Sequence, residues 1–167
     1  MLYPELKARH ANIDDAPCIL SIFLESEAQT DFKGGVDIVT VIDWIETSND
    51  QRPFWVIETT ESCVIGWFAL ESFYGLPAFD GAVELSIYVK AQYQRKGIAT
   101  HALKYVEQEA ARIGLHTLVA YVLSGNVVSR AFFISNDFEQ WGCLPNVARN
   151  CDIRGHLLLL GKTLQAD

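Results

Sequence analysis

Apolar and polar positions along the chain fall into blocks whose period switches between about two, as in strands, and about 3.6, as in helices. A short strand is predicted over residues 8–11. Asn12 and Asp14 then offer N-cap oxygens to a helix whose apolar stripe is Ile19, Leu20 and Phe23. Ile38, Val41, Ile42 and Ile45 form a second helical stripe. The β-rich runs 54–59 and 63–70, joined by a polar turn, predict an antiparallel hairpin. A Gly- and Pro-bearing loop, 73–81, precedes a strand over 83–89. Ala99, Ala102, Leu103, Val106, Ala110 and Ile113 then recur at helical spacing as far as Gly114. A β-branched strand is predicted over 117–123, a helix over 126–135 and a last strand over 156–164, while the polar stretch 146–155 is predicted to be irregular. Trp44, Trp55, Trp67 and Trp141 lie in apolar runs and are expected in the core.

No repeat or low-complexity linker divides the 167 residues, so one α/β domain over 1–167 is expected. With 50% hydrophobic and 20% charged residues the chain can fill a core, which excludes a disordered protein. The formal charge of −8 and sequence pI near 4.9 argue against nucleic acid or an anionic membrane surface as partner, because both are normally held by a basic face. Any anion must therefore be held locally. The apolar run 157–160 is far shorter than the roughly 20 residues of a membrane span. Residues 1–10 carry Glu5, Lys7 and Arg9 without an apolar stretch, so no secretory signal is read and a cytoplasmic address is expected. Cys18, Cys63, Cys143 and Cys151 form no CxxC pair, which suits reduced thiols better than a zinc site, and no metal is expected. His10, His101, His116 and His156 are scattered, with no nucleophile elbow beside them.

The run Gln94-Arg-Lys-Gly-Ile-Ala-Thr lies between a predicted strand and a predicted helix. A helix start presents unpaired N–H groups and the positive end of the macrodipole, so it binds phosphate without a basic surface. Gly97 lets the backbone approach closely, Arg95 and Lys96 add local charge, and Thr100 adds a hydroxyl. The alternative is a surface helix start with two solvated cations. Neither GxGxxG nor GxxxxGK[ST] is present.

Gln94-x-x-Gly97-x-Ala99 resembles the acetyl-CoA loop, Q/R-x-x-G-x-G/A, of the GNAT N-acetyltransferases. The likeness extends in order along the chain. Arg9, Ala11, Asp15 and Ala16, then Arg52-Pro-Phe-Trp-Val, Gly66-Trp-Phe-Ala-Leu, Val83-Glu-Leu-Ser-Ile-Tyr-Val and Asn126-Val-Val-Ser129 are similar to the phosphinothricin acetyltransferase branch of that family. The resemblance implies a GNAT fold, with a mixed, mainly antiparallel sheet of about six to seven strands and about four helices, splayed between the fourth and fifth strands. It further implies acetyl-CoA as cosubstrate. The backbone of Ile87, Tyr88 and Val89 would pair with the pantetheine amides. Arg95, Lys96, Gly97, Ile98, Ala99 and Thr100 would cradle the pyrophosphate, and Asn126 and Ser129 would meet the far part of the cofactor. A homodimer is expected by the same analogy.

The implied reaction is direct attack of a primary amine on the thioester. Glu84 matches the family's acid-base Glu and is expected to act directly or through water, against a plainer reading as a strand carboxylate satisfied by a neighbour. The backbone N–H of Val89 is the implied oxyanion donor. Where relatives place a Tyr or His to protonate the leaving thiolate, this chain has Phe133, so solvent or Tyr121 would substitute, unless Tyr121 is simply a core ring. That branch commonly carries arginines in the substrate loop, whereas residues 72–79 have none. Tyr74 and Leu76 stand in their place, and Phe73, Tyr74 and Phe79 either form an apolar or cation-binding wall, a cationic amine suiting the negative overall field, or simply pack the loop down. The reading is a small-molecule amine N-acetyltransferase. The alternatives are a CoA-binding sensor without turnover and a peptide or protein N-terminal acetyltransferase.

Overall fold

A computed structural model describes residues 5–165; residues 1–4, with which the reading of the N-terminal segment began, and 166–167 lie outside it. Its elements run β1 (Lys7–His10), α1 (Ala16–Glu27), α2 (Ile38–Thr47), β2 (Phe54–Glu58), β3 (Val64–Ser72), β4 (Ala82–Val89), α3 (Ile98–Ile113), β5 (Thr117–Leu123), α4 (Val127–Ser135), β6 (Glu139–Asn150) and β7 (Ile153–Thr163). The seven strands form one sheet in the order β1-β2-β3-β4-β5-β7-β6. All neighbouring strands are antiparallel except β4 and β5, which are parallel. This is the mixed sheet, with four helices, that the resemblance implied.

Each face of the sheet has its own apolar layer. On one face Trp55, Ile57, Val83, Leu85, Leu118, Ala120 and Val122 pack with Ala102, Leu103 and Val106 of α3. On the other, Phe54, Val56, Trp67 and Ala69 pack with Ile19 and Ile22 of α1 and with Val41 and Ile45 of α2. The helices thus bury the stripes that their periodicity marked. Capping follows the chemistry of the residues at their starts. Asp37 Oδ1 accepts from the Thr40 amide at 2.9 Å, and Asn12 with Asp15 forms a reciprocal capping box ahead of α1.

Arg9 ties the first strand to the first helix. Its guanidinium meets both carboxylate oxygens of Asp15 at 2.8 and 2.9 Å and Glu58 Oε2 at 2.9 Å. The pairing holds the Asp15 carboxyl below the usual carboxylate range.

Two expectations are corrected here. The stretch 146–155 is not irregular: it is the outer part of the β6–β7 hairpin, held by main-chain pairing with shifted register between Leu144 and Ala148. Its side chains are mostly exposed, so no apolar alternation marked it. For the same reason β7 begins at Ile153, three residues before the predicted start. Trp141 is not in the core. It is 48% exposed, with its ring laid flat across Gly161.

Candidate active site

β4 and β5 pair over three rungs, Ala82–Thr117, Val83–Leu118 and Glu84–Val119, and part beyond them. The Lys90 amide donates to the Ile65 carbonyl on the β3 side at 2.9 Å. Strand alternation therefore turns the N–H groups of Val89 and Ile87 the other way, across the gap. The Gln94 side chain donates to the Val89 carbonyl at 3.0 Å, fastening the loop after β4 to the end of the strand. A cavity of about 610 Å³ fills the gap, with Ile87, Tyr88, Val89 and Tyr121 among its walls.

The loop between β4 and α3 turns sharply through two left-handed residues, Arg95 at φ 58° and Gly97 at φ 80°. Gly97 is the N-cap of α3 and offers no side-chain oxygen, so the first-turn N–H groups of the helix lack a side-chain cap. Arg95, Gly97, Ile98, Ala99 and Thr100 line the cavity there. Lys96 does not; its ammonium lies 5.4 Å from the centre of the Tyr93 ring. On the other side of the gap, Asn126 Oδ1 accepts from the Ser129 amide at 3.1 Å and starts α4, and both residues line the cavity. The same Asn126 thus has a structural use.

Glu84 stands on the last paired rung, where the gap begins; its neighbours Leu85 and Ser86 line the cavity and Glu84 itself does not. Val83 and Leu85 point into the α3-side layer, as do Leu118 and Ala120 on β5, so Glu84, Tyr88 and Tyr121 project from the opposite face. The Glu84 carboxyl is half-buried and has Glu71 as its cross-strand partner. Burial, with the Glu71 charge beside it, pushes its pKa up to about 7. No hydrogen bond satisfies this carboxylate among the described residues, contrary to the plainer reading of it. Burial also raises the Tyr88 phenol to about 12, reinforced by Glu84, Glu27 and Glu71, and its ring stacks on Trp67 at 4.4 Å. The Tyr121 hydroxyl is raised by burial and by Glu84, which keeps it protonated at neutral pH. Phe133 is buried between Phe132 and Phe138 and lines the cavity with a ring that carries no proton to give.

The loop residues Phe73, Tyr74 and Phe79 do not line this cavity. They pack on one another, Tyr74 edge-on to Phe79 at 5.0 Å, and Tyr74 is 66% exposed. Their mutual packing is the second of the two expected arrangements, and on that side the cavity is lined by the end of α1 and the segment after it: Phe23, Ser26, Glu27, Gln29, Thr30 and Phe32. Periodicity places Phe23 on a helix but contains nothing that folds residues 28–36 back over the sheet. Glu25 accepts from the Ala91 amide at 2.8 Å and holds α1 to the loop beyond β4.

The chemistry of this arrangement fits a long, partly amide, partly phosphate ligand. An unpaired strand edge faces the gap, uncapped helix N–H groups and Arg95 stand at one end, and at the other the ladder closes on the rung that carries Glu84, whose side chain lies outside the cavity lining. Among the described residues no group of three or more His, Cys, Asp or Glu is placed to hold a metal ion. No described helix is long and apolar enough to cross a membrane.

Comparison with known proteins agrees with the geometry. The Acetyltransferase (GNAT) family matches residues 19–138. The Bacillus subtilis protein YwnH, provisionally named a phosphinothricin acetyltransferase, is 27% identical over 157 residues, 94% of this chain and 96% of that one. An L-methionine sulfoximine/L-methionine sulfone acetyltransferase of Pseudomonas aeruginosa is 29% identical over 145 residues, 84% of each chain. The structure of yncA from Salmonella typhimurium, solved with its cofactor acetyl-CoA, superimposes with a TM-score of 0.84 at 25% identity, over 97% of this chain and 95% of that chain.

Proposed function

The chain is an acetyltransferase of the GNAT family, and from that premise we propose that it acetylates the primary amine of a small, amino-acid-like molecule by direct attack of the amine on acetyl-CoA. The observation that carries this reading is the half-buried Glu84, raised to about 7, at the head of a gap whose other end is an uncapped helix start. Acetyl-CoA supplies an activated acetyl thioester. The chain's own residues position it and handle the protons.

Val89 and Ile87 offer main-chain groups to the pantetheine amides, and the Val89 N–H is the donor for the developing oxyanion. Arg95 and the N–H groups of 97–100 hold the pyrophosphate, with Asn126 and Ser129 beyond it. Glu84 removes the amine proton, directly or through one water. With a pKa near 7 it is about half ionised at neutral pH, well matched to a general base. An α-amine of pKa near 8 costs only about 1.4 kcal/mol to deprotonate at pH 7, against about 4.6 for a lysine-type amine near 10.4. An amino-acid-like acceptor thus suits a single modest base. Tyr121 gives its proton to the leaving thiolate, a task for which Phe133 has nothing to offer. Tyr121→Phe should lower kcat about tenfold while the KM for acetyl-CoA stays within twofold, as steady-state kinetics would register. An unchanged kcat would assign the protonation to solvent.

The reaction itself is tested by incubating the protein with acetyl-CoA and a panel of amines while following free thiol. Absence of both thiol release and CoA binding overturns the proposal. The phosphate cradle has its own test. A Cβ at Gly97 would meet nothing within 4 Å, so Gly97→Ala costs only the strain of a left-handed residue, about 1 kcal/mol. The same methyl crowds the phosphate, and calorimetry should find acetyl-CoA affinity reduced at least tenfold, a loss larger than the stability change.

A further inference from the structure

Of the segment 28–36, Val36 packs against the layer between the sheet, α1 and α2, whereas the part that walls the cavity, Gln29, Thr30 and Phe32, contributes no residue to that layer. The segment's own ties are short-range: Thr30 Oγ1 donates to the Phe32 carbonyl at 2.9 Å, and the Gly34 amide donates to Glu27 Oε1 at 2.9 Å. Two further ties come from the far end of the chain. The Asn150 side-chain amide donates to the Asp31 carbonyl at 2.6 Å. The Phe32 ring sits against Gly155, where a Cβ would lie 2.7 Å from the ring's Cζ and 2.8 Å from Cε2. Gly155 has no left-handed φ, so its glycine is not needed for backbone geometry. It is needed for space. It is also buried, whereas residues 151–154 of the hairpin tip are all exposed. The nearest atoms over it are two of the Phe32 ring, with Ala148 Cβ next at 3.6 Å, and Phe32 in turn lines the cavity.

We propose that the β6–β7 hairpin tip is a specificity clamp: through Gly155 and Asn150 it seats Phe32 as the acceptor-side wall of the cavity and so sets how much apolar side chain the amine may carry. The inference rests on the proposed acetyl transfer for its consequence, but not for its geometry. Phe32 and Phe23 make the apolar part of this wall, and the Phe23 ring meets that of Tyr88 at 5.4 Å on the face of β4 from which Glu84 projects, whereas the helix starts at Gly97 and Asn126 belong to α3 and α4. Moving Phe32 therefore alters acceptor choice and leaves the acetyl-CoA end untouched. In Gly155→Ala the added methyl displaces the ring. In Phe32→Ala the ring is gone and the notch stands empty.

The experiment compares wild type with Gly155→Ala, Phe32→Ala, the double variant and Asn150→Ala. Hydrogen exchange of residues 28–36 is followed together with acetylation of L-methionine sulfone and of straight-chain amines from ethylamine to hexylamine. Expected are at least tenfold faster exchange at Phe32 and Gly34 in Gly155→Ala and Asn150→Ala, with the first turn of α3 unchanged. The order of preferred amines should shift to longer chains in Phe32→Ala, with the acetyl-CoA KM within twofold. The double variant should match Phe32→Ala, because the methyl then has nothing to displace. Unchanged exchange in both hairpin variants, or an unchanged amine order in Phe32→Ala, overturns the clamp. If wild type acetylates none of the amines, the acetyl-transfer reading fails on this panel, and the exchange measurement still decides whether the hairpin holds Phe32.

Discussion

Glu84→Gln should lower kcat/KM for the amine about 100-fold, roughly 2.7 kcal/mol of transition-state stabilisation, with the acetyl-CoA KM within twofold. Gln keeps the shape and removes the base. The pH profile distinguishes this from a structural effect. In the wild-type protein kcat/KM should rise as pH passes through about 7 and level off above it, because only ionised Glu84 accepts a proton. In the variant that limb disappears. Stability should move oppositely to activity. The folded-state pKa of Glu84 lies above its ordinary value, so its contribution to stability is fully present below the ordinary carboxylate range and is lost as pH rises through about 7. Gln carries neither the charge nor the repulsion from Glu71. Thermal unfolding of Glu84→Gln should therefore show a Tm at pH 8 no lower than wild type. A lowered Tm there would mean that Glu84 holds a partner in the fold rather than a proton for the reaction.

The largest stability effect is expected at Arg9. Its guanidinium serves Asp15 and Glu58 together, and their side chains are only 8% and 10% exposed. Arg9→Ala leaves both carboxylates without that cation. For Arg9, itself 29% exposed, we expect about 3 kcal/mol, the lower end of what breaking a buried ion pair costs. In a chain of this size that is a fall in Tm of roughly 6–12 °C. Arg9→Lys should recover only part of it, since an ammonium cannot meet both Asp15 oxygens as a fork does. The acid side follows in sign. Asp15 is held below its ordinary value, so its stabilisation is present above the ordinary carboxylate range and lost as pH falls through the lowered one. In Arg9→Ala the loss should begin at higher pH. Chemical denaturation across pH 3 to 7 measures both effects.

Most of the layered fold was legible because its signals are local. Ile38, Val41, Ile42 and Ile45 share a face only if the backbone is helical, and α2 spans Ile38–Thr47. Residues 117–123 are a strand at the predicted bounds, because Leu118, Ala120 and Val122 alternate into the core. Gly97 and Gly114 bound α3 through their own backbone conformations, both left-handed. What was not legible depends on distant residues. The outer β6–β7 hairpin is exposed on most positions, so burial wrote no period into it. Trp141 reads as apolar in sequence, yet its ring rests on Gly161, with its outer surface uncovered. The cavity wall at the start of α3 was readable from Gln94 to Thr100, a contiguous run at a strand-to-helix turn of which all but Lys96 line the cavity. The wall formed by Phe32 was not, since Phe32 packs against Gly155, more than a hundred residues later, and nothing near Phe32 in sequence marks that contact. The loop 73–81 drew attention by being aromatic, but Phe73, Tyr74 and Phe79 satisfy one another instead.

The three rungs between β4 and β5 have a mechanical consequence. Main-chain pairing from β1 across to β6 passes through these rungs and the adjoining His116–Gly81 bond, so the sheet is two stiff plates riveted along one short edge, with α3 leading across from one plate to the other. Shear stiffness across that line is low compared with the long ladders on either side. A molecule whose amides bridge the open part of the line adds rivets where there are none. Because Glu84 sits at the last rivet and Tyr121 on the far plate, the angle between the plates sets the spacing between these two side chains, and the proposed acid-base pair is tuned by whatever fills the line.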